Sequence, residues 1–252
     1  MERRFEGKVA VVTGAGAGIG RTYARRFGAE GAAVVVADVD AQAAERVAKE
    51  LTAAGVPALA AAFDVVDDAG AAAMVEAATA ELGGIDVLVN NAGVHLHHAQ
   101  PPYSREALPQ WRRVLDVNVI GALNCAVACR PSMRERGGGV VVNQSSMAAY
   151  AGGGAYGVSK LALNALTVSL AGELADDGIR VNGIAPGLVD SEAAMAALPA
   201  DLKDRIVAGQ AIKRLGRMED LADMVLFLCS DAASFVTGQT FLVDGGHTKK
   251  PY

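Results

Sequence analysis

Short runs of contiguous apolar residues alternate along this chain with longer stretches in which apolar positions return every three or four residues. The contiguous runs, at 8–13, 33–37, 58–63, 86–89, 140–143, 180–184 and 240–243, read as strands rich in Val, Ile, Leu and Ala. The periodic stretches, at 18–30, 41–54, 69–82, 106–133, 155–175 and 218–230, read as helices. Gly31 closes the first of these, and the glycines at 137–139 lead out of the fourth. A strand without polar alternation is buried on both faces, and a helix between successive strands supplies the crossover that parallel pairing requires. The pattern therefore predicts an α/β fold, a doubly wound parallel sheet with helices on both faces, in a single domain over residues 1–252. No solenoid-type repeat and no low-complexity linker interrupts it.

Composition narrows the partners. The 252 residues are enough to bury a full core without staples, and 52% hydrophobic residues with 29 glycines fit close packing around tight turns. A net charge of -5 and a pI of about 5.4 offer no basic field to nucleic acid or to an anionic membrane, so neither is an expected partner. No contiguous apolar run reaches membrane-spanning length. The polar opening at 1–8, with Arg3 and Arg4, reads as a lead-in to the first strand rather than an export signal. Cys125, Cys129 and Cys229 match neither a disulfide framework nor a metal spacing, and read as core residues in a reducing, cytoplasmic setting.

Two stretches carry candidate chemistry. Thr13-Gly-Ala-Gly-Ala-Gly-Ile-Gly20 follows the first strand and opens the first helix. There glycines let the backbone approach a pyrophosphate and the helix N-terminus offers amide donors to its charge. Asp38 ends the second strand 18 residues after Gly20, where a carboxylate can accept both hydroxyls of an adenosine ribose or simply cap the next helix. The second stretch, 143–160, supplies the Ser146 hydroxyl, the Tyr156 phenol and the Lys160 ammonium. On a helix, Tyr156 and Lys160 are one turn apart, so the cation can favour the phenolate and bring the group into use as a general acid or base. A serine hydroxyl can hold the same substrate oxygen. Read alone, a Tyr-x-x-x-Lys pair is usually a packed ring beside a solvated lysine.

Other features are weaker. The loop histidines His95, His97 and His98 have no carboxylate or cysteine companion, and no metal site is expected. Trp111 and Val114 read as core at helical spacing. There is no Gly-Lys-Ser/Thr P-loop and no Gly-x-Ser-x-Gly elbow, which removes two common nucleotide- and ester-hydrolysing signatures.

In order and spacing, Thr13-Gly-x-x-x-Gly-Ile-Gly20, Asn90-Asn-Ala-Gly93, Asn118, Ser146, Tyr156-x-x-x-Lys160 and Pro186-Gly187 resemble the short-chain dehydrogenase/reductase family across essentially the whole chain. The resemblance implies a Rossmann fold and an NAD-type cofactor. It makes Tyr156 the acid or base, Ser146 the donor to the substrate oxygen, Lys160 the ribose-binding charge and Asn118 the holder of a relay water. It also places Gly14, Gly18 and Ile19 at the phosphates, Asp38 at the ribose, Asp64 and Val65 beside the adenine, and Asn91 and Gly93 along the cofactor path. Val189 and Ser191 would meet the nicotinamide carboxamide and phosphates. Two positions depart from the usual pattern: Tyr156 follows Ser146 by 10 residues, a shorter interval than is common, and Ser191 stands where threonine is common. The shorter interval leaves Ser145 as a second candidate for the donor.

These readings converge on an NAD(H)-dependent oxidoreductase interconverting a secondary alcohol and a ketone. Two alternatives stand beside it: an NADPH-dependent 3-oxoacyl-carrier-protein reductase, which Asp38 opposes, and a non-catalytic dinucleotide-binding scaffold. The segments at 94–104, 149–154 and 190–210 form the expected substrate walls. Their Ala, Leu and Gly content, with His95, His97 and Tyr150 as polar contacts, suggests an apolar and uncharged or weakly polar ligand. Outward small residues Ala126, Ala162 and Ala165, with the tail at 241–252, suggest a homotetramer, as the family pairs these helices across a two-fold axis.

Overall fold

The computed structural model describes residues 3–94, 101–151, 153–197 and 199–249. Its strands are β1 (Val9–Thr13), β2 (Ala33–Asp38), β3 (Ala58–Ala62), β4 (Val87–Asn90), β5 (Gly139–Gln144), β6 (Ile179–Pro186) and β7 (Thr240–Val243). The helices are α1 (Gly18–Ala29), α2 (Ala41–Ala53), α3 (Asp68–Leu82), α4 (Leu108–Leu115), α5 (Gly121–Glu135), α6 (Ala148–Ala151), α7 (Gly154–Glu173), α8 (Glu192–Ala197), α9 (Ala200–Gly209) and α10 (Met218–Cys229). One sheet has the order β3-β2-β1-β4-β5-β6-β7, and every neighbouring pair is parallel. The chain winds outward from β1 to β3, then returns to start the other half at β4. The crevice between the carboxyl ends of β1 and β4 is thus the topological switch point where such sheets bind ligands.

Period-two alternation within buried strands divides the core in two. Ala10 and Val12 of β1 join Tyr23 and Phe27 of α1 and Leu221 and Val225 of α10 on one face. Val9 and Val11 join Cys125, Cys129 and Met133 of α5 and Leu170 of α7 on the other. All three cysteines are buried, as their spacing suggested, and burial pushes the Cys125 and Cys229 thiols up to about 12.

Three elements differ from the sequence pattern. The helix expected over 106–133 is two helices joined by a π turn, Asp116–Ile120, whose wider ring breaks the 3.6-residue period without breaking the run. By length and composition the joined run Leu108–Glu135 could cross a membrane; here α5 buries Cys125, Cys129 and Met133 within the fold, so it is a core helix. The helices α6, α8 and α9 occupy segments expected only as cavity walls. Their alanine-rich stretches carry little apolar periodicity to read. Ala126, expected to face outward, is buried at 1% exposure, and the outward apolar residue of that turn is Val127. Trp111 is half-buried rather than core, its indole donating to the Pro102 carbonyl, while Val114 is buried as expected.

Candidate active site

The turn from β1 into α1 is held from three sides. The Asn91 amide donates to the carbonyls of Thr13 (2.8 Å) and Gly14 (3.0 Å), and the Thr13 hydroxyl accepts the amides of Asn91 and Ala92. Asp38 Oδ2 accepts the Gly16 amide at 2.8 Å, and its Oδ1 accepts the Asp40 amide. Gly14 has φ +63°, and a Cβ there would lie 2.9 Å from the Ala92 Cα, so both conformation and contact exclude a side chain. The N-cap of α1 is Ala17, which makes no side-chain cap. Among the described residues the first amides of the helix therefore receive no side-chain cap, the arrangement that suits a phosphate. Gly14, Gly18, Ile19, Asn91, Gly93 and Ser191 line one cavity at this turn.

Beyond Gly14 the cleft continues into a cavity of about 300 Å³ lined by Asp38, Asp64, Val65 and Gly93. The Arg113 guanidinium pairs with Asp64 at 2.8 Å. Although partial burial works against it, Arg113 and the Val66 amide hold the Asp64 carboxyl below its usual range. Arg21, the cation nearest the glycine turn in sequence, is engaged by Glu50 at 2.7 Å.

At the other end, Ser146, Tyr156 and Lys160 come together. Ser146 follows β5, where the strand's end delivers it to the cleft, and its hydroxyl hydrogen-bonds Tyr156 while accepting the Ala148 amide at 3.1 Å. Ser145 turns the other way, buried, donating to the Lys160 carbonyl. Lys160 is 4% exposed; its ammonium donates to the Gln144 carbonyl at 2.7 Å and lies 5.7 Å from the centre of the Tyr156 ring. Burial lowers Lys160 to about 8. Burial also pushes the Tyr156 phenol above its ordinary value, with the Ser146 hydrogen bond opposing it. The net shift is therefore upward, opposite to the direction expected from the neighbouring ammonium.

Asn118 lies in the π turn and is 1% exposed. Its Oδ1 accepts the Val94 amide at 2.7 Å and its Nδ2 donates to the Ser159 hydroxyl at 3.0 Å, which in turn donates to the Tyr156 carbonyl. It joins the loop after β4 to the helix that carries Tyr156.

Sequence reading missed several residues here. Tyr23, 1% exposed, donates to Gln144 Oε1 at 2.5 Å, and Gln144 Nε2 donates to Asn91 Oδ1 at 2.9 Å. A part-buried chain of side-chain hydrogen bonds thus couples the glycine turn to the strand end under Lys160. Only the three-dimensional register of β1, β4 and β5 brings these positions together. The cavity beside Tyr156, about 460 Å³, is lined by Ser146, Met147, Tyr150, Val189 and Ser191, as anticipated in part, and also by His247 and Lys249 from the chain after β7. His95, His97 and His98 lie outside the described residues. Among the described residues no group of three or more His, Cys, Asp or Glu side chains could hold a metal ion.

A parallel sheet with its glycine turn at the switch point, leading into a cavity lined by Ser146 and Tyr156 with Lys160 beside the ring, defines a dinucleotide-linked oxidoreductase. Residues 14–248 match the family model described as enoyl-(acyl carrier protein) reductase. The chain is 46% identical to an uncharacterized oxidoreductase of Mycobacterium tuberculosis (strain H37Rv), covering 96% of this chain and 98% of the relative. It is 42% identical to cis-4-hydroxycyclohexanecarboxylate dehydrogenase of Sinomonas cyclohexanicum, covering 98% and 99%. The solved structure of 7α-hydroxysteroid dehydrogenase complexed with NADH and 7-oxo glycochenodeoxycholic acid superposes with a TM-score of 0.92 at 36% identity, covering 100% of this chain and 98% of that one. The chain belongs to the short-chain dehydrogenase/reductase family.

Proposed function

We propose that this protein is an NAD(H)-dependent oxidoreductase in which Tyr156 moves the proton as a secondary alcohol on an alicyclic frame and its ketone interconvert. The observation that carries the reading is the Tyr156–Ser146 hydrogen bond at a cavity wall, with the Lys160 ammonium beside the ring. NAD, when bound, takes the hydride from the carbinol carbon and returns it in the reverse direction. Ser146 holds the substrate oxygen, and Tyr156 accepts its proton in oxidation or donates it in reduction. Lys160 fixes the electrostatics around the phenol and is the charge for a ribose hydroxyl. Asn118 keeps the loop after β4 and α7 in register and is the residue assigned to the relay water.

The cations at the cleft are already engaged, Arg113 by Asp64 and Arg21 by Glu50, so neither is offered to an extra phosphate. Gly14, Gly18 and Ile19 with the open end of α1 suit a pyrophosphate, and Asp38, with Asp64 and Val65 beyond it, suits an unphosphorylated ribose and adenine. Asn91 and Gly93 line the path between the cavities, and Val189 and Ser191 line the nicotinamide end. An alicyclic substrate is the reading supported by similarity to a hydroxycyclohexanecarboxylate dehydrogenase and a hydroxysteroid dehydrogenase. The exposed Val127 of α5 and Leu161 and Val168 of α7 suit pairing across a two-fold axis, and a cytoplasmic homotetramer is the assembly we assign. The test is NADH formation with a panel of cyclic and linear secondary alcohols. Turnover of cyclic members that vanishes in Tyr156→Phe supports the reading; NAD binding with no turnover of any alcohol or ketone returns the chain to a scaffold.

A further inference from the structure

One wall of the 460 Å³ cavity comes from the chain after β7, and it is folded for the purpose by Asp244. That carboxylate is 6% exposed; its Oδ1 accepts the Gly246 amide at 3.0 Å and its Oδ2 the Thr248 amide at 2.7 Å. The Gly245 carbonyl accepts the amides of Ala211 and Ile212, which ties the turn to the end of α9. Held this way, His247, Thr248 and Lys249 line the cavity that Tyr156 also lines.

The His247 ring packs over Gly209, and its Nδ1 is buried with no hydrogen-bond partner among the described residues. A buried N–H without an acceptor costs more than a bare ring nitrogen, so the ring proton belongs on Nε2, the nitrogen on the opposite edge. His247 is then an N–H donor to the cavity. Lys249 is exposed at the same wall and brings a full positive charge. No Asp or Glu is among the described lining residues, in a chain whose net charge is -5. Between this wall and Tyr156 the lining is largely apolar, with Met147, Ala148, Leu188 and Val189.

We propose that His247 and Lys249 form a carboxylate-binding subsite, so that the alcohol or ketone handled at Tyr156 carries a carboxylate on its apolar frame. This rests on the oxidoreductase reading above and departs from the uncharged or weakly polar ligand expected from wall composition. Lys249 supplies charge and His247 a directed hydrogen bond, a pairing that favours a carboxylate over a neutral amide.

The test uses the full-length enzyme loaded with NADH, titrated calorimetrically with cyclohexanecarboxylate and with cyclohexanecarboxamide, and, in parallel, NAD-dependent turnover of cyclohexanol and of 3-hydroxycyclohexanecarboxylate with its carboxamide. The acid should bind about tenfold or more tighter than the amide, and the same preference should appear in kcat/KM, carried by KM. Lys249→Met should close the gap, Lys249→Arg should keep it, and added salt should narrow it. Equal or undetectable binding of acid and amide, or a gap that survives in Lys249→Met, overturns the subsite. Turnover of cyclohexanol without acid preference overturns the subsite alone. Acid preference in binding with no alcohol turned over supports the subsite and overturns the oxidoreductase reading.

Discussion

The Lys160 ammonium donates a 2.7 Å hydrogen bond to the backbone carbonyl of Gln144. That single carbonyl is its protein acceptor among the described hydrogen bonds, and the side chain is 4% exposed, so the charge is poorly compensated and its pKa falls from 10.5 to about 8.

A stability prediction follows from this depression. Between pH 8 and 10.5 the unfolded chain holds a proton on Lys160 that the folded chain has begun to release, so folding gains stability as pH rises through that window. Below about pH 8 the full burden of the buried charge is present. Comparing urea unfolding of the parent with Lys160→Met isolates the effect. The difference should move in the parent's favour between pH 8 and 10.5, by on the order of 3 kcal/mol at most. A difference that stays flat across the window would mean that the ammonium is better compensated than its contacts indicate.

Tyr156 sits in the same desolvated patch, and burial holds its phenol above the ordinary value. If the phenolate is the base for oxidation, kcat/KM with an alcohol should climb with pH into the alkaline range, and ketone reduction should fall over the same limb. Tyr156→Phe should lose roughly 1,000-fold or more in kcat while the Kd for NADH changes by less than about threefold, as expected for a group acting in the chemical step. Stopped-flow turnover and fluorescence titration measure the two. A phenylalanine variant within about tenfold of the parent would remove Tyr156 from the proton path.

The sheet and the cofactor turn were legible because their signals are local. Continuous Val and Ala runs give β1 and β2, and the spacing of glycines after Thr13 gives the turn itself. Tyr156 and Lys160 were legible because a helix places fourth neighbours side by side. The chain Tyr23–Gln144–Asn91 was not, since three separate strands and helices must pack before those groups meet. His247 and Lys249 were missed for a similar reason: they follow the last strand, and only the Asp244 turn brings them to a cavity whose other walls come from distant stretches of the chain, around 146–156 and 186–194. The π turn at Asn118 was missed because α4 and α5 continue one another across it, so it shifts the helical phase without ending the run.

Gly93 offers a packing test of how closely the groups around Tyr156 are set. A Cβ there would lie 3.0 Å from Asn118 Oδ1 and 3.5 Å from Lys160 Nζ. Asn118 cannot simply rotate away, since it is bonded to both Val94 and Ser159. Gly93→Ala should therefore shift Asn118 or Lys160 and cost about 1–3 kcal/mol in folding stability, as overpacking does. A loss of roughly tenfold or more in kcat/KM should accompany it, because small displacements of positioned groups slow the chemistry. Urea midpoints and steady-state rates read both effects. A variant matching the parent in both would show that the loop has room the contact distances deny.

Cofactor choice should rest on Asp38, whose carboxylate already does structural work. One oxygen accepts the Gly16 amide and the other the Asp40 amide, so the group is fixed at the end of β2 facing the cavity it shares with Asp64 and Val65. A 2'-phosphate brought there would meet a fixed negative charge at short range, and the nearby cations Arg113 and Arg21 are held by Asp64 and Glu50. Ribose hydroxyls would instead find an acceptor. The ratio of kcat/KM for NAD over NADP should exceed about tenfold, or about 1.4 kcal/mol. Asp38→Ala removes both the repulsion and the hydroxyl acceptor, and it also frees the Gly16 amide, so NAD should weaken while the ratio shrinks. Asp38→Asn separates the effects: it keeps an oxygen for Gly16 and loses the charge, so its ratio should shrink with a smaller loss for NAD. Parent enzyme that used NADP as well as NAD, or an alanine variant with the full preference, would place cofactor discrimination elsewhere in the cleft.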